Sequence, residues 1–403
     1  MYPKIELEER LKTKEGNEVK TLRKSVAIFI LGTMCIYFSG CWNYREIDDM
    51  PMVIGVAIDM KKDNYILTTQ VVKPMISVEE KFLHTSFRQT EGETLFDAIR
   101  DFIIESGKRI FWGHLKFIIV SEDIAREGIS SVFDFFARDD ETREDIWVLV
   151  STGGYSAADI LKLSTHGKEL GFYIPDALKS VKTTSKYDPY KMYEFRDDLS
   201  LKGKDGLLPL IRMEDIAEIN QPLIFGNAVF KKDKMIGTLN SKESKSLRVI
   251  RNREKGGVLP VKWKVDSKPI KITLEIDNSK TKIIPIYRDN NIFMKIDITT
   301  NSFIGEVMNY DVDIISEEGK NTLKDEATKI IKDNAAHIIH KAQNEFKSDI
   351  LGFGEIVKNK MPDVWREVED DWDNIFENIS YEINVKVNIK GSALYSNPLK
   401  VEE

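Results

Sequence analysis

The stretch from Arg23 to Cys41 decides how much of this chain is available to fold. Arg23-Lys24 closes a charged segment, and "SVAIFILGTMCIYF" (Ser25 to Phe38) that follows is almost wholly apolar. Ser39-Gly40 then leads directly into Cys41. A charged n-region, a short apolar h-region and a small-residue exit are the marks of an export signal. The apolar run is shorter than the about 20 residues that a membrane span needs. Small residues immediately before a cysteine form a bacterial lipobox, in which the thiol receives a diacylglycerol and the preceding peptide is cut away. Cys41 is therefore the expected lipid-attachment site, carrying diacylglycerol on sulfur and an acyl chain on its new amino terminus. Cys35 does not compete, because Thr33-Met34 precede it. Two features depart from the pattern. Phe38 stands where leucine is usual, and the n-region is long, with Glu6, Glu8, Glu9, Glu15 and Glu18 among its bases. Either the true start lies further in or the early residues are a tolerated extension. The competing reading is an uncleaved anchor helix with Cys41 a bystander.

What remains after the leader is long enough for two or three domains. The chain has 403 residues, of which 42% are hydrophobic and 31% charged, so it can bury a core and still dissolve. Removing residues 1–40, with their seven basic and five acidic side chains, takes the formal charge from −7 to −9. An acidic chain lacks the basic footprint that phosphate binding requires, which argues against nucleic acid. Both cysteines lie at or before the lipobox. The mature chain therefore has no disulfide and no thiolate metal site to offer.

The periodicity predicts an N-terminal α/β domain over residues 41–171. "PMVIGVAID" and "YILTTQVV" read as a hairpin around a polar turn at Lys61–Asn64. "ETLFDAIRDFIIESGKR" places Leu95, Ile99, Phe102 and Ile103 on one helical stripe, with Gly107 suited to the C-cap. "HLKFIIV" (His114 to Val120) and "DIWVLVS" read as strands, Ser121 as a helix cap, and "ISSVFDFFARD" and "SAADILKLS" as helices. Over residues 172–221 the pattern weakens into "TTSKYDPYKMYEFRDDLSLKGKDG", polar and tyrosine-rich, read as a linking region or small second domain. An α+β domain is expected over 222–403. It should hold a hairpin turning at Lys231–Lys234, a helix capped by Asn240 or Ser241, and long alternating strands. Leu323, Ala327, Ile330, Ile331, Ala335, Ile338, Ile339, Ala342 and Phe346 predict one long helix with an apolar stripe. The fold class is thus α+β, a multi-domain mixed α/β arrangement of mixed sheets flanked by helices.

Four stretches could carry chemistry. His337 and His340 stand three apart on the long helix, where two imidazoles can share a face, although no nearby pattern supplies further metal ligands. "GFG" (Gly352 to Gly354) lacks the strand and the remaining glycines of a dinucleotide fingerprint. "STGGYS" (Ser151 to Ser156) ends a strand and opens a helix, so it is either a plain turn or a place for an anion. "FWGHLK" (Phe111 to Lys116) sets His114 beside Trp112, where the ring either binds and ionises near neutral pH or locks a turn.

Taken together, these stretches resemble the Ger(x)C lipoproteins, the C subunits of spore germinant receptors in endospore-forming bacteria. "SGCWNYREID" resembles the family's lipobox and its sequel, and "GVAID" its first strand. "EGETLFDAIRDFIIESGKRIFWGHLKFIIVSEDIAREGI" resembles its helix–strand core, including the Gly113-His114 pair. "GNAVFKKDKMIGTLNSKES" and "DILGFGEIVKNKMPDVWREVEDDW" resemble the start and the late helices of its C-terminal domain. The resemblance implies a three-domain mixed α/β fold and a non-enzymatic, lipid-anchored subunit on the outer face of the inner spore membrane. It implies partners as well, an A-type integral membrane subunit and a B-type transporter-like subunit. It assigns no catalytic residues, metal or cofactor, and only Cys41 carries over. The alternative is a solute-binding lipoprotein of an importer, which would use the same export route.

Overall fold

The computed structural model describes residues 19–34, 50–73, 84–165, 168–265, 268–308 and 316–392. The chain divides into two units, residues 1–50 and 51–403. In the first, helix α1 covers residues 19–34, and Cys41 lies outside the described residues. Among the described residues no helix is long and apolar enough to cross a membrane.

The second unit begins with the hairpin β1 (Met52–Lys61) and β2 (Asn64–Lys73), followed by β3 (His84–Gly92). Lys62 and Asp63 both have positive φ, which matches the right-handed twist of the flanking strands. Helix α2 (Leu95–Ser106) is capped by the Thr94 hydroxyl, and Gly107 closes it in the left-handed conformation. Next come β4 (Phe117–Val120), α3 (Glu122–Glu127, capped by Ser121), α4 (Ser130–Arg138) and β5 (Trp147–Ser151). Helix α5 (Ala157–Leu161), the short pair β6 (Ser164–Thr165) and β7 (Lys168–Glu169), and helices α6 (Leu170–Lys179), α7 (Val181–Thr184) and α8 (Met192–Ser200) follow. Then β8 (Leu207–Ile216), β9 (Ile219–Lys231) and β10 (Lys234–Leu239) run up to α9 (Ser241–Ile250).

One eight-stranded sheet collects most of these strands in the order β10-β9-β8-β5-β4-β1-β2-β3. Its four middle strands are parallel, and an antiparallel ribbon extends it on either side. The middle strands are buried on both faces, so they read as continuous apolar runs such as "FIIV". Ala57, Phe117, Ile119, Leu149 and Ile211 point to one face, where α5 and α6 supply Ile160, Leu161, Leu170 and Ile174. Val56, Ile58, Ile118, Val120, Val148 and Leu210 point to the other, against α2, α3 and α4.

The second sheet has the order β11-β12-β13-β14, formed by β11 (Val258–Val265), β12 (Lys268–Arg288), β13 (Asn291–Val307) and β14 (Ser380–Ser392). Helix α10 (Glu317–His340) runs on into a π-helical turn, Lys341–Phe346, and is followed by α11 (Phe353–Lys360), α12 (Pro362–Val368) and α13 (Trp372–Asn378). The stripe Leu323, Ala327, Ile331, Ala335, Ile338, Ile339 and Ala342 is buried as its spacing requires, whereas Phe346 is only partly so. The apolar core is continuous between the two sheets. It passes through Phe133–Phe195 and Phe195–Phe230, ring centroids 4.9 Å apart in each pair, toward Leu239 and Leu247.

The mixed sheets flanked by helices are those the sequence pattern predicts. Residues 172–221, read from sequence as a linking region or small second domain, form α6, α7 and α8 and then β8, which pairs with β5 inside the large sheet. The division expected at 221/222 falls within β9. His114 does not open a strand. Leu115 N–H closes a turn on Trp112 O at 2.9 Å, and the ladder begins only at Phe117.

Ile338 is fully buried within the apolar core, so Ile338→Asp places a carboxylate out of reach of bulk water. We expect it to cost several kcal/mol in denaturant unfolding of the purified protein, and an unchanged midpoint would mean that this stripe does not face the core.

Candidate functional site

The polar clusters of the second unit lie where chain segments distant in sequence meet. The largest is built on α9. Its N-terminus is closed by a capping box, in which Asn240 Oδ1 accepts from the N–H of Lys242 and Glu243, and Glu243 returns a bond to Asn240 N–H. At the far end, "RVIRNRE" turns three guanidinium groups toward the tyrosine-rich segment 185–198. Arg248 bridges Asp188 at 2.7 Å and Glu254 at 3.1 Å, with all three side chains no more than 4% exposed. Arg253 reaches Asp188 at 3.3 Å and Glu194 at 3.0 Å. Arg251 donates to the Tyr190 hydroxyl and lies 3.6 Å from Asp198. The side chain of Asn227 on β9 holds Asp188 by both its N–H and its C=O, each at 2.8 Å. Burial raises the Tyr190 phenol above its ordinary range, so it stays a neutral donor to Asp198 at 3.1 Å. With Lys204 Nζ 2.8 Å from Asp198, four cations face four carboxylates, the Arg253–Glu194 pair lying at the partly exposed edge.

The "GFG" turn is a second such cluster. Gly352 takes the left-handed conformation and opens α11. The Asp349 carboxylate accepts from the N–H of Gly352 at 2.8 Å, Phe353 at 3.0 Å and Gly354 at 2.8 Å, and from the Trp372 indole at 3.0 Å. Burial pushes this carboxyl up to about 7 against the pull of those donors. Asp205 stands beside it, also raised by burial, and accepts from Ser348 Oγ at 2.9 Å, Asp349 N–H at 3.0 Å and Lys232 N–H at 3.0 Å. A Cβ on Gly354 would come within 2.5 Å of the Gly203 backbone, so glycine is what allows these two loops to touch. The donors that a phosphate would need are therefore occupied by the chain's own carboxylate.

"STGGYS" behaves in the same way. Gly153 and Gly154 both have positive φ, and Ser156 caps α5. The N–H groups of Ala157 and Ala158 point at Asp59 on β1, at 2.7 and 2.9 Å. The turn reading is the one the structure bears out, and Asp59 fills the place open to an anion.

The histidines do not converge. His114 sits exposed in its turn with its ring 5.6 Å from that of Phe111, while Trp112 is buried edge-on against Phe136 at 5.7 Å. A Cβ on Gly113 would fall 2.6 Å from the Phe111 ring, so the Gly-His pair marks a tight turn. His337 Nε2 lies 3.1 Å from Glu243 Oε1, which also accepts from Lys341 Nζ at 2.9 Å. Burial works against the Glu243 anion, yet Lys341, the Asn240 N–H and His337 together hold it below the usual carboxylate range. His340 is exposed one turn away. Among the described residues no three histidine, cysteine or carboxylate side chains are placed to hold a metal ion.

With this geometry in hand, the class can be stated. Residues 43–213 match the family described as "Spore germination protein N-terminal domain", and residues 225–393 match "Spore germination B3/ GerAC like, C-terminal". The chain belongs to this Ger(x)C family of spore germination proteins. Among particular relatives, it is 26% identical to Spore germination protein B3 of Bacillus subtilis (strain 168) over 92% of this chain and 98% of that protein. It is 24% identical to Spore germination protein A3 of the same organism over 91% of this chain and 98% of that one. The crystal structure of the GerBC protein has the same fold, with a TM-score of 0.53 and 23% identity over 83% of this chain and 97% of that chain.

The arginine cluster was hidden from sequence reasoning because its acids and bases are far apart in the chain. The one available signal was the coincidence of two unusual stretches, an aspartate- and tyrosine-rich segment and an arginine-rich helix end. Arg248→Ala leaves Glu254 buried without its cation and takes from Asp188 the nearer of its arginines. Breaking a buried pair in this way costs about 3–5 kcal/mol. We expect a loss of that order in denaturant unfolding. A loss below about 1 kcal/mol, the range of exposed pairs, would mean that water reaches the cluster.

Proposed function

We propose that this chain is the lipid-anchored C subunit of a nutrient germinant receptor required for spore germination. The observation that carries the reading is the family match over both halves of the chain, which starts at residue 43, just after Cys41. Diacylglycerol and an N-acyl chain on Cys41 would tether the protein to the outer face of the inner spore membrane. Two or more chains are what stable anchoring takes. Its partners are an A-type integral membrane subunit and a B-type transporter-like subunit. An anchor confines the folded unit beside such partners and raises their effective concentration. The protein acts through contacts rather than through chemistry. The internal geometry supports this, because the buried carboxylates and guanidinium groups are committed to backbone N–H groups and to one another. The importer reading finds no support among the relatives, which are spore germination proteins matched over more than nine-tenths of the chain.

Spores carrying a deletion, or Cys41→Ala in its place, test this directly. Deletion should abolish the response to the cognate nutrient and leave other germination triggers effective. Cys41→Ala should move the protein out of the membrane fraction when its partners are absent. Normal nutrient response in the deletion strain would overturn the receptor role, and membrane retention of the alanine variant would overturn the anchor. Replacing His114 with a polar neutral residue should leave germination intact. A stable His114 variant that lost the response would instead make the "FWGHLK" turn a binding or gating site.

A further inference from the structure

A groove of about 530 Å³ opens between α9, α10 and the start of β11. Its walls are largely apolar, with Val249, Leu259, Pro260, Ile276, Ile330 and Ile331 among them, and Val258 at its mouth is 50% exposed. Every charged residue lining it is a lysine: Lys186, Lys242, Lys245 and Lys262. In a chain of formal charge −7, an apolar cleft edged by cations alone is built for an anionic, amphipathic occupant. That occupant does not add a strand to β11. Lys245 Nζ already takes the Val258 carbonyl on the free edge of that strand, and Pro260, two residues on, has no N–H to give. Recognition must therefore run through side chains.

The chemistry that fits is present elsewhere on the same molecule. The β8–β9 hairpin ends in six consecutive exposed residues, Asp215 to Asn220. Ala217 and Glu218 form its two-residue turn, both at positive φ, with Ile216 paired to Ile219 across it. A cross-strand pair puts both isoleucines on one face, and they are 48% and 59% exposed. Glu214, Asp215 and Glu218 surround them, and no lysine or arginine occurs from Met213 to Phe230. The tip cannot enter its own groove. Gly226 N–H bonds to Lys186 O at 2.9 Å, which ties β9 to the groove wall seven residues from Ile219, a span of about 23 Å along an extended strand.

We infer that the lysine-edged groove receives the acidic, isoleucine-bearing hairpin tip of a second copy of this chain. Tip and groove are different surfaces, so the contact is head-to-tail and each copy keeps one free half. The inference does not rest on the receptor role and takes from the proposed function only the lipid anchor, whose failure would show separately as protein that does not float with the vesicles.

The test uses the full chain in phosphatidylcholine vesicles, with donor- and acceptor-labelled populations carrying their fluorophores at the C-terminus. Energy transfer between wild-type copies is expected, falling as salt is raised. A tip variant, Ile216→Ser with Glu218→Lys, should lose transfer when present alone. A groove variant, Lys242→Glu with Lys262→Glu, should lose it likewise. Both pairs of changes are at exposed positions, and circular dichroism checks that the fold is kept. The deciding measurement is the mixture. The tip variant retains a groove and the groove variant retains a tip, so together they should recover transfer as pairs that grow no further. Absent wild-type transfer, variants that associate like wild type, or a mixture that stays dark would each overturn the inference. So would a photo-crosslinker at Val258 that, in spore membranes, captured a different subunit and no second copy.

Discussion

Arg248 holds this structure together at its most expensive point. Taking a guanidinium and two carboxylates out of water costs several kcal/mol per ion, and attraction between them offsets this only when geometry and hydrogen bonding are complete. Here they are. Arg248 contacts Asp188 and Glu254 and donates to Arg253 O, the Ser185 hydroxyl donates to Glu254, and Asn227 grips the Asp188 backbone. The three segments that supply these groups are the loop after α7, strand β9 and the end of α9. Their meeting therefore fixes how α9 leaves the large sheet and where the second sheet begins. An apolar plug of the same volume could be as stable, but it would not single out one register of these loops.

Carboxylates also close two other helix starts. Asp59 takes the free N–H groups of α5, and Asp349 takes those of α11. Asp59 lies on a strand nearly a hundred residues away, so its cap is also a tertiary tie, whereas Asp349 caps from the turn just before its helix. Asp349 further receives the Trp372 indole, and Asp205 bridges the backbone of Asp349 and Lys232. Residues 203–205 and 349–355 are thereby locked to one another across the length of the chain. A relay of aromatic rings, Phe133 to Phe195 to Phe230, continues the same join on the apolar side.

This also explains which parts could be read in the sequence. The Lys61–Asn64 and Lys231–Lys234 turns, the Thr94–Gly107 helix and the stripe along α10 depend on local spacing and caps, and each lies where its pattern places it. Residues 172–221 were opaque for a physical reason. Their helices are short, and some of their polar residues are not solvent-facing. Asp188 and Asp198 are buried by arginines some fifty to sixty residues away, so polarity there marks burial against a partner that no local window contains. "STGGYS" and "GFG" were legible as turns, but the carboxylates that fill them come from Asp59 and Asp349, one of them on a distant strand. The lipobox reading of Cys41 rests on the motif alone, since that residue lies outside the described residues.

Among the described residues, the buried carboxylates and guanidinium groups are largely taken up by one another and by backbone N–H groups. On its surface, charge and apolar area coincide in places. The β8–β9 tip and the lysine-edged groove are two such places, opposite in charge and alike in being apolar at the centre. On a freely diffusing protein, contacts of this size would be weak, since two isoleucines bury little area and rim charges are screened within about 8 Å at physiological salt. Tethering changes that balance. Confinement to a surface removes part of the entropic cost of association, so a small, charge-matched contact can become populated without any further complementarity. With the proposed lipid attachment at Cys41, the membrane would supply the concentration and these surface features the selectivity.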